Sequence, residues 1–268
     1  HRLDIPFTMR FDHAAAGRTS CDSVLWVVGS MDSVGVGEAV FREYVSGGGD
    51  EPALLDRPAD TTARLIRDRL NGTVSLESLR DLARDDATAA IDLPVLCGLE
   101  TALLDLLCQV TQTDIYGLLG TPPKRRRVTY GGTLPLVSEQ TATRLLSTYR
   151  SLGIGNLRIK VGPEADAALA TVDLARRILG ADFDLRVDAN GSLTEADADR
   201  LLPGLIERDI SIVEEPVGRK RELQIRLARR YPEITFAADE SALTRKDIKQ
   251  MHIDESFGMI NIRLSKNG

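Results

Sequence analysis

Three short runs decide how this chain folds: Leu185-Arg186-Val187-Asp188-Ala189-Asn190, Ile212-Val213-Glu214-Glu215-Pro216 and Phe236-Ala237-Ala238-Asp239-Glu240-Ser241. Each is a few apolar, β-prone residues ending in a carboxylate. Asp188, Glu214 and Asp239 are separated by 26 and 25 residues, about one strand, one helix and their loops. The same grammar extends outward. Apolar strands at 128–136, 157–161, 185–189, 212–215, 235–238 and 259–264 alternate with amphipathic helices near 140–152, 165–179, 195–207, 222–230 and 245–251. Six strands with five intervening helices predict parallel βα units, in a closed barrel or an open doubly wound sheet. A dinucleotide-binding sheet needs a glycine-rich turn after its first strand, and Tyr130-Gly131-Gly132-Thr133 lies inside the strand instead. Gly35-Val36-Gly37 lacks a third glycine and a following helix and reads as a hairpin, so an α/β fold of the (β/α) barrel type is expected.

The residues before this alternation read differently. Ser23 to Val28 and Val36 to Val40 are strand-like around the turn residues Gly29 to Gly35. Thr62, Leu65, Ile66 and Leu70 recur at helical spacing, Ser75 to Arg84 repeats the style, and Val95 to Val110 is the strongest helix. Strands followed by helices predict an α+β domain over residues 1–120, with the barrel strands in 121–268. The chain of 268 residues then holds six βα strands where a barrel needs eight, which reads as part of a longer protein. His1, in place of a Met, reads as a processing boundary.

Composition narrows the partners. At 28% charged, 43% hydrophobic and a net charge of −6, the chain is globular and mildly acidic. Nucleic acid is not expected, because phosphate binding needs a basic face and the run Lys124-Arg125-Arg126-Arg127 reads as a solvated linker. No apolar run approaches a membrane span, so no membrane partner is expected. Cys21, Cys97 and Cys108 form no disulfide framework and suit a reducing cytoplasm.

The strand ends carry the chemistry, for in a (β/α)8 barrel the C-terminal rim is where active sites are built. Lys160 ends the second strand, Asp188 the third, Glu214 the fourth, Asp239 the fifth and Lys266 the sixth. A lone Asp there usually caps the next helix, and a lone Lys usually reaches solvent. Five ionisable groups in register are harder to explain so. Three carboxylates on neighbouring strands predict a hard all-oxygen site for Mg²⁺, with Mn²⁺ as the alternative; His1, His13 and His252 have no ligand spacing for zinc. Only six of the 34 basic residues are Lys, and two of the six stand at strand ends. Strands two and six face each other in an eight-stranded ring, so Lys160 and Lys266 could serve opposite faces of one substrate carbon. The reaction class is abstraction of a proton α to a carboxylate, with the metal stabilising the enediolate. Arg158, two residues before Lys160, would help lower that lysine's pKa.

The combination of DAN at 188–190, EEP at 214–216, ADES at 238–241 and NIRLSKNG at 261–268 resembles the enolase superfamily, whose sites pair a Lys or His base with Mg²⁺. Lys266 favours its muconate-lactonizing-enzyme subgroup, since mandelate-racemase-like relatives place a His on a later strand. The resemblance extends to the N-terminal half, through Gly37-Glu38-Ala39, Arg42 to Gly47 and Glu100 to Asp105, and implies that this half is a capping domain. It implies Asp188, Glu214 and Asp239 as metal ligands, Lys160 and Lys266 as acid/base partners, and Asn190 and Glu240 as groups supporting them. The family commonly has Lys where this chain has Arg158, which keeps the charge but cannot act as a base. Loops near Asp12 to Cys21 and Glu43 to Gly49 are expected to cover the site. The resemblance implies a small carboxylate substrate and a homo-oligomer. Expected activities are racemisation or epimerisation of a dipeptide or N-acyl amino acid, with muconate cycloisomerisation as the alternative. A non-catalytic metal-binding fragment is the reading from another class.

Overall fold

The computed structural model describes residues 1–13, 16–29, 32–40, 68, 74–82, 93–124 and 127–267. The helix expected around Thr62 to Leu70, except residue 68, the Arg42 to Gly47 motif and the Glu43 to Gly49 loop lie outside the described residues, as do Arg125 and Arg126. The chain divides into two compact units, one of residues 1–6, 20–126 and 262–268 and one of residues 7–19 and 127–261.

The N-terminal strands β1 (Arg2–His13), β2 (Ala16–Gly29) and β3 (Val34–Val40) form a sheet in the order β1-β2-β3. β2 and β3 are antiparallel, with Trp26 opposite Gly37 and Val28 opposite Gly35. The two glycines therefore sit inside a strand rather than at a hairpin turn. Their reason is the helix beside them. After α1 (Leu76–Leu82), helix α2 (Leu93–Val110) lies so close that a Cβ on Gly35 would meet the Ala102 carbonyl, and one on Gly37 the Gly98 carbonyl. Asp105 accepts a hydrogen bond from the Val36 amide at 2.9 Å, and the Gln109 amide donates to the Val34 carbonyl at 2.8 Å, so the helix is tied along the strand. Leu79, Leu99, Leu103 and Leu107 form the core of this unit, with Trp26 packed against them.

The expectation that no apolar run approaches a membrane span needs correction. Among the described residues, α2 alone is long and apolar enough, with 18 residues and a mean hydropathy of 1.6. Its apolarity has a local cause: Pro94 to Leu99, Ala102, Leu103, Leu106 and Leu107 are buried within the protein. A short helix, α3 (Ile115–Leu119), follows; the Asp114 side chain caps it by accepting from the Gly117 amide.

In the second unit the sequence grammar is realised strand by strand. β4 (Gly132–Leu134), α4 (Glu139–Ser151), β5 (Asn156–Lys160), α5 (Ala165–Leu179), β6 (Asp184–Asp188) and α6 (Glu195–Ile206) come first. Then follow β7 (Ile212–Glu214), α7 (Arg221–Arg230), β8 (Thr235–Ala238), α8 (Arg245–Asp254) and β9 (Met259–Ile260). The six strands form one parallel sheet in chain order, as expected for successive βα units. Helix starts are encoded locally. Ser138 caps α4, and Thr194 with Asp197 and Thr244 with Asp247 form reciprocal capping boxes on α6 and α8.

Side-chain alternation then sorts the strands' two faces. Leu157, Ile159, Leu185, Val187, Val213 and Phe236 pack with Leu146, Val172, Leu201, Leu205 and Leu227 of the helices. Each such fully buried aliphatic side chain contributes roughly 1.5–3 kcal/mol. Arg158 and Lys160 alternate with these and project from the opposite face of β5. The last strand is shorter than the expected 259–264, because β9 lies at the sheet edge and is held only by β8. A four-residue helical segment, α9 (Leu264–Asn267), follows and packs against α2 in the first unit.

Candidate active site

Parallel pairing brings the predicted groups together. The register sets Lys160 beside Asp188, Asp188 beside Glu214, and Glu214 beside Ala237, two residues before Asp239. Lys160, Asp188, Glu214 and Asp239 are all buried, Asp188 and Asp239 completely. The Lys160 ammonium donates to Asp188 at 2.6 Å and to the Asn190 side-chain carbonyl at 2.7 Å. Arg158 donates to both Glu214 oxygens, at 2.8 and 3.0 Å, and lies 3.5 Å from Asp188. The Asn190 backbone amide donates to the other Asp188 oxygen at 2.9 Å, and the Asn190 side-chain amide donates to Glu240 at 2.9 Å. Asn190 thus bridges the ammonium, Asp188 and Glu240, in one network with Arg158 and Glu214.

Charge is unequally balanced. Asp188, Glu214, Glu215, Asp239 and Glu240 are buried carboxyls; Arg158 bonds Glu214 and Lys160 bonds Asp188. Burial, followed by the negative charge of Glu214, pushes Asp188 above the ordinary carboxylate range against the pull of Lys160 and Arg158. For Glu214 the penalty of burial is outweighed by the Arg158 charge and the Asn261 and Arg158 hydrogen bonds, so its carboxyl is held low. Of this pair, Asp188 takes a proton first. Burial is also opposed at Arg158, where the Glu214 and Asp188 charges lift the guanidinium above its usual value. Glu240 is raised by burial and by Asp239, and Glu215 is raised to about 7 by burial. Repulsion of this kind in a buried site is relieved by added positive charge.

These side chains suit a hard divalent cation by their chemistry: they offer carboxylate and amide oxygens, no thiol and no imidazole. Glu240 also has one buried oxygen, Oε2, without a hydrogen-bond partner. As placed, no three His, Cys, Asp or Glu residues among those described gather closely enough to hold a metal ion, and Arg158 and Lys160 engage Glu214 and Asp188. The two cations and a metal ion therefore compete for the same oxygens.

Lys266, expected at the end of the sixth strand, lies in α9 and is completely buried within the first unit. Three groups at the strand ends had no role assigned from sequence. Asn261, just after β9, donates from its side chain to Glu214 at 2.9 Å and from its backbone to the Ala238 carbonyl at 2.7 Å. Its place one unit beyond Asp239 was the available signal. Glu215 accepts from the Asp239 and Ser241 backbone amides at 2.9 and 3.1 Å, and from the Ser241 hydroxyl. Ser241 is the third. Asn190 and Glu215 both adopt left-handed backbone conformations, with φ of 47° and 39°. For a residue with a Cβ this costs about 1–2 kcal/mol, so each turn must be held by its surroundings.

Residues 140–268 match the family described as "Enolase C-terminal domain-like". A hydrophobic dipeptide epimerase of Enterococcus faecalis is 33% identical over 184 residues, covering 68% of this chain and 49% of that protein. Muconate cycloisomerase 1 of Pseudomonas putida is 29% identical over 222 residues, covering 81% of this chain and 54% of that protein. The solved structure of an Enterococcus faecalis dipeptide epimerase, complexed with Mg and the dipeptide L-Leu-L-Tyr, superposes with a TM-score of 0.84 at 25% identity. That superposition covers 100% of this chain and 74% of the other. The chain spans about half the length of the curated relatives it matches. Its parallel βα sheet, the carboxylates at successive strand ends and these matches agree in likening the chain to the enolase superfamily, with its C-terminal half matching that family's domain and relatives among dipeptide epimerases and muconate cycloisomerases.

Proposed function

We propose that the protein is an isomerase that moves a proton at the carbon α to a carboxylate, acting as an epimerase or racemase on a dipeptide or N-acyl amino acid. The observation that carries this reading is the Lys160 ammonium, buried at a strand end and bonded to Asp188 and Asn190. A lysine so placed can hold and return one proton at a fixed point once its carboxylate partner is otherwise engaged. Asp188, Glu214 and Asp239 would hold Mg²⁺, which when bound supplies positive charge for a substrate carboxylate and for the negative charge that develops as the proton leaves. Arg158 orients Glu214, and Asn190 fixes Asp188 and Lys160 relative to each other. Lys266, by its motif, is the second acid/base group. The names and the bound dipeptide of the Enterococcus faecalis relatives support this substrate class.

Muconate cycloisomerisation is the second reading, supported by the match to the Pseudomonas putida enzyme. The test incubates the protein with Mg²⁺ and a panel of dipeptides and N-acyl amino acids in deuterium oxide. Deuterium should enter Cα of at least one substrate, and Lys160→Met should lose epimerisation and the exchange of the configuration whose proton Lys160 removes. A panel without exchange, alongside falling cis,cis-muconate absorbance, would replace the first reading by the second. Exchange that survives Lys160→Met unchanged would remove the role given to that lysine.

A further inference from the structure

Glu215 joins three strand ends through groups that the reaction above does not use. Its backbone amide donates to the Ala237 carbonyl of β8 at 2.8 Å, and its carbonyl accepts from the Gly191 amide, in the turn after β6, at 2.7 Å. Its side chain crosses to the turn after β8, where one oxygen takes the Asp239 and Ser241 amides and the other takes the Ser241 hydroxyl. The side chain is completely buried. The left-handed turn at Glu215, with φ of 39°, follows directly on Glu214 and sends the neighbouring side chain across to β8.

The polarity of this network is fixed from outside. The Gln224 side-chain amide donates to the Gly218 carbonyl and to the Ser241 hydroxyl oxygen, both at 2.9 Å. With both of its amide protons used, Gln224 leaves Ser241 to donate to Glu215. Every partner of the Glu215 carboxyl group is then a donor, and an acceptor at both oxygens is required. A residue aligned only for packing would not need such a match.

We infer that Glu215 is a positioning residue that sets the spacing of Asp188, Glu214 and Asp239, so that the three carboxylates can close on one divalent cation. This rests on the metal site proposed above and assigns its geometry to a residue outside the ligand set. Substituting an isosteric amide would put an N–H against donors and loosen Asp239 relative to Glu214, with little change in packing. Supports of this kind, when altered, typically cost about 10–100-fold in metal affinity.

The experiment is calorimetric titration of Mg²⁺ into the protein without substrate, for the wild type, Glu215→Gln and Ser241→Ala, each checked for folding by circular dichroism. Glu215→Gln should weaken Mg²⁺ binding by about tenfold or more while remaining folded. Ser241→Ala, which keeps both backbone donors, should weaken it less. The Mg²⁺ concentration that half-activates exchange should rise in the same order. Mg²⁺ affinities within twofold of wild type in folded Glu215→Gln would overturn the inference. If that variant does not fold, Ser241→Ala decides: a threefold or greater loss supports the inference, and an unchanged affinity overturns it. Loss of Mg²⁺ affinity in a protein that exchanges no substrate proton would leave this inference standing and remove the proposed reaction. A wild type that takes up no Mg²⁺ overturns the inference itself.

Discussion

Replacing Arg158 by Met retains much of the aliphatic stem and removes the guanidinium. That group donates two hydrogen bonds to Glu214, at 2.8 and 3.0 Å, and sits 3.5 Å from Asp188. Without it, buried Glu214 keeps the Asn261 amide, and Lys160 is left facing two buried carboxylates. Removing one partner of a buried ion pair costs roughly 3–5 kcal/mol, since the other charge stays desolvated. The Arg158 side chain is 19% exposed, so the lower end, about 3 kcal/mol, is expected. Urea unfolding with EDTA present, followed by far-ultraviolet circular dichroism, measures it. With a slope of about 1–3 kcal/mol per molar, the midpoint should fall by about 1 M or more.

The pH dependence follows from Asp188. Its folded pKa is already raised by burial and by Glu214, and losing Arg158, which lowers it, raises it further. A raised carboxyl binds more protons folded than unfolded, so stability falls as pH rises from the unfolded value through the folded one. The deficit of the variant is therefore largest above the folded pKa and shrinks as pH drops through it. Added Mg²⁺ should narrow the deficit as well, by supplying charge to the same oxygens. A midpoint shift below about 0.2 M at neutral pH, or a deficit that grows on acidification, would refute the electrostatic account.

Two further substitutions test the scaffold. Leu146→Ala empties a fully buried position where α4 meets the sheet and should cost about 2–5 kcal/mol, read as a lower urea midpoint; no change would mean that α4 is not packed as described. Gly37→Ala drives a methyl group into the Gly98 carbonyl and the Ala102 amide of α2, so the near-ultraviolet signal of Trp26, opposite Gly37 in the sheet, should weaken while the βα unit keeps its secondary structure. An unchanged Trp26 signal would count against the close approach of strand and helix.

Much of the βα unit is legible in sequence because its signals are local. Periodicity two in Leu157 to Lys160 and periodicity near four in the helices mark elements that the structure places within a few residues. Capping residues such as Thr194 and Thr244 mark their starts. Strand register was legible in part, since the near-equal spacing of Asp188, Glu214 and Asp239 sets Asp188 level with Glu214 and brings Asp239 within two residues of that level in a parallel sheet. The purpose of Gly35 and Gly37 was not, because a glycine that admits a helix and one that makes a turn look alike until the helix is in place. Nor was the end of the sixth strand, where Ile262 and Leu264 continue the alternation past Ile260, the last residue of β9.

The sequence by itself determined the order of the βα elements, the family resemblance, and that Lys160, Asp188, Glu214 and Asp239 stand at or just past strand ends, because each depends on neighbours a few residues away or on repeated spacing. Only the tertiary structure decided how those charges pair. Arg158 reaches Glu214 and Lys160 reaches Asp188, across 56 and 28 residues of chain. Glu215 turns from its own strand to hold the end of the next. Such choices depend on distances of a few tenths of a nanometre in a buried site, where an unpaired charge is costly, and chain spacing carries no information at that scale.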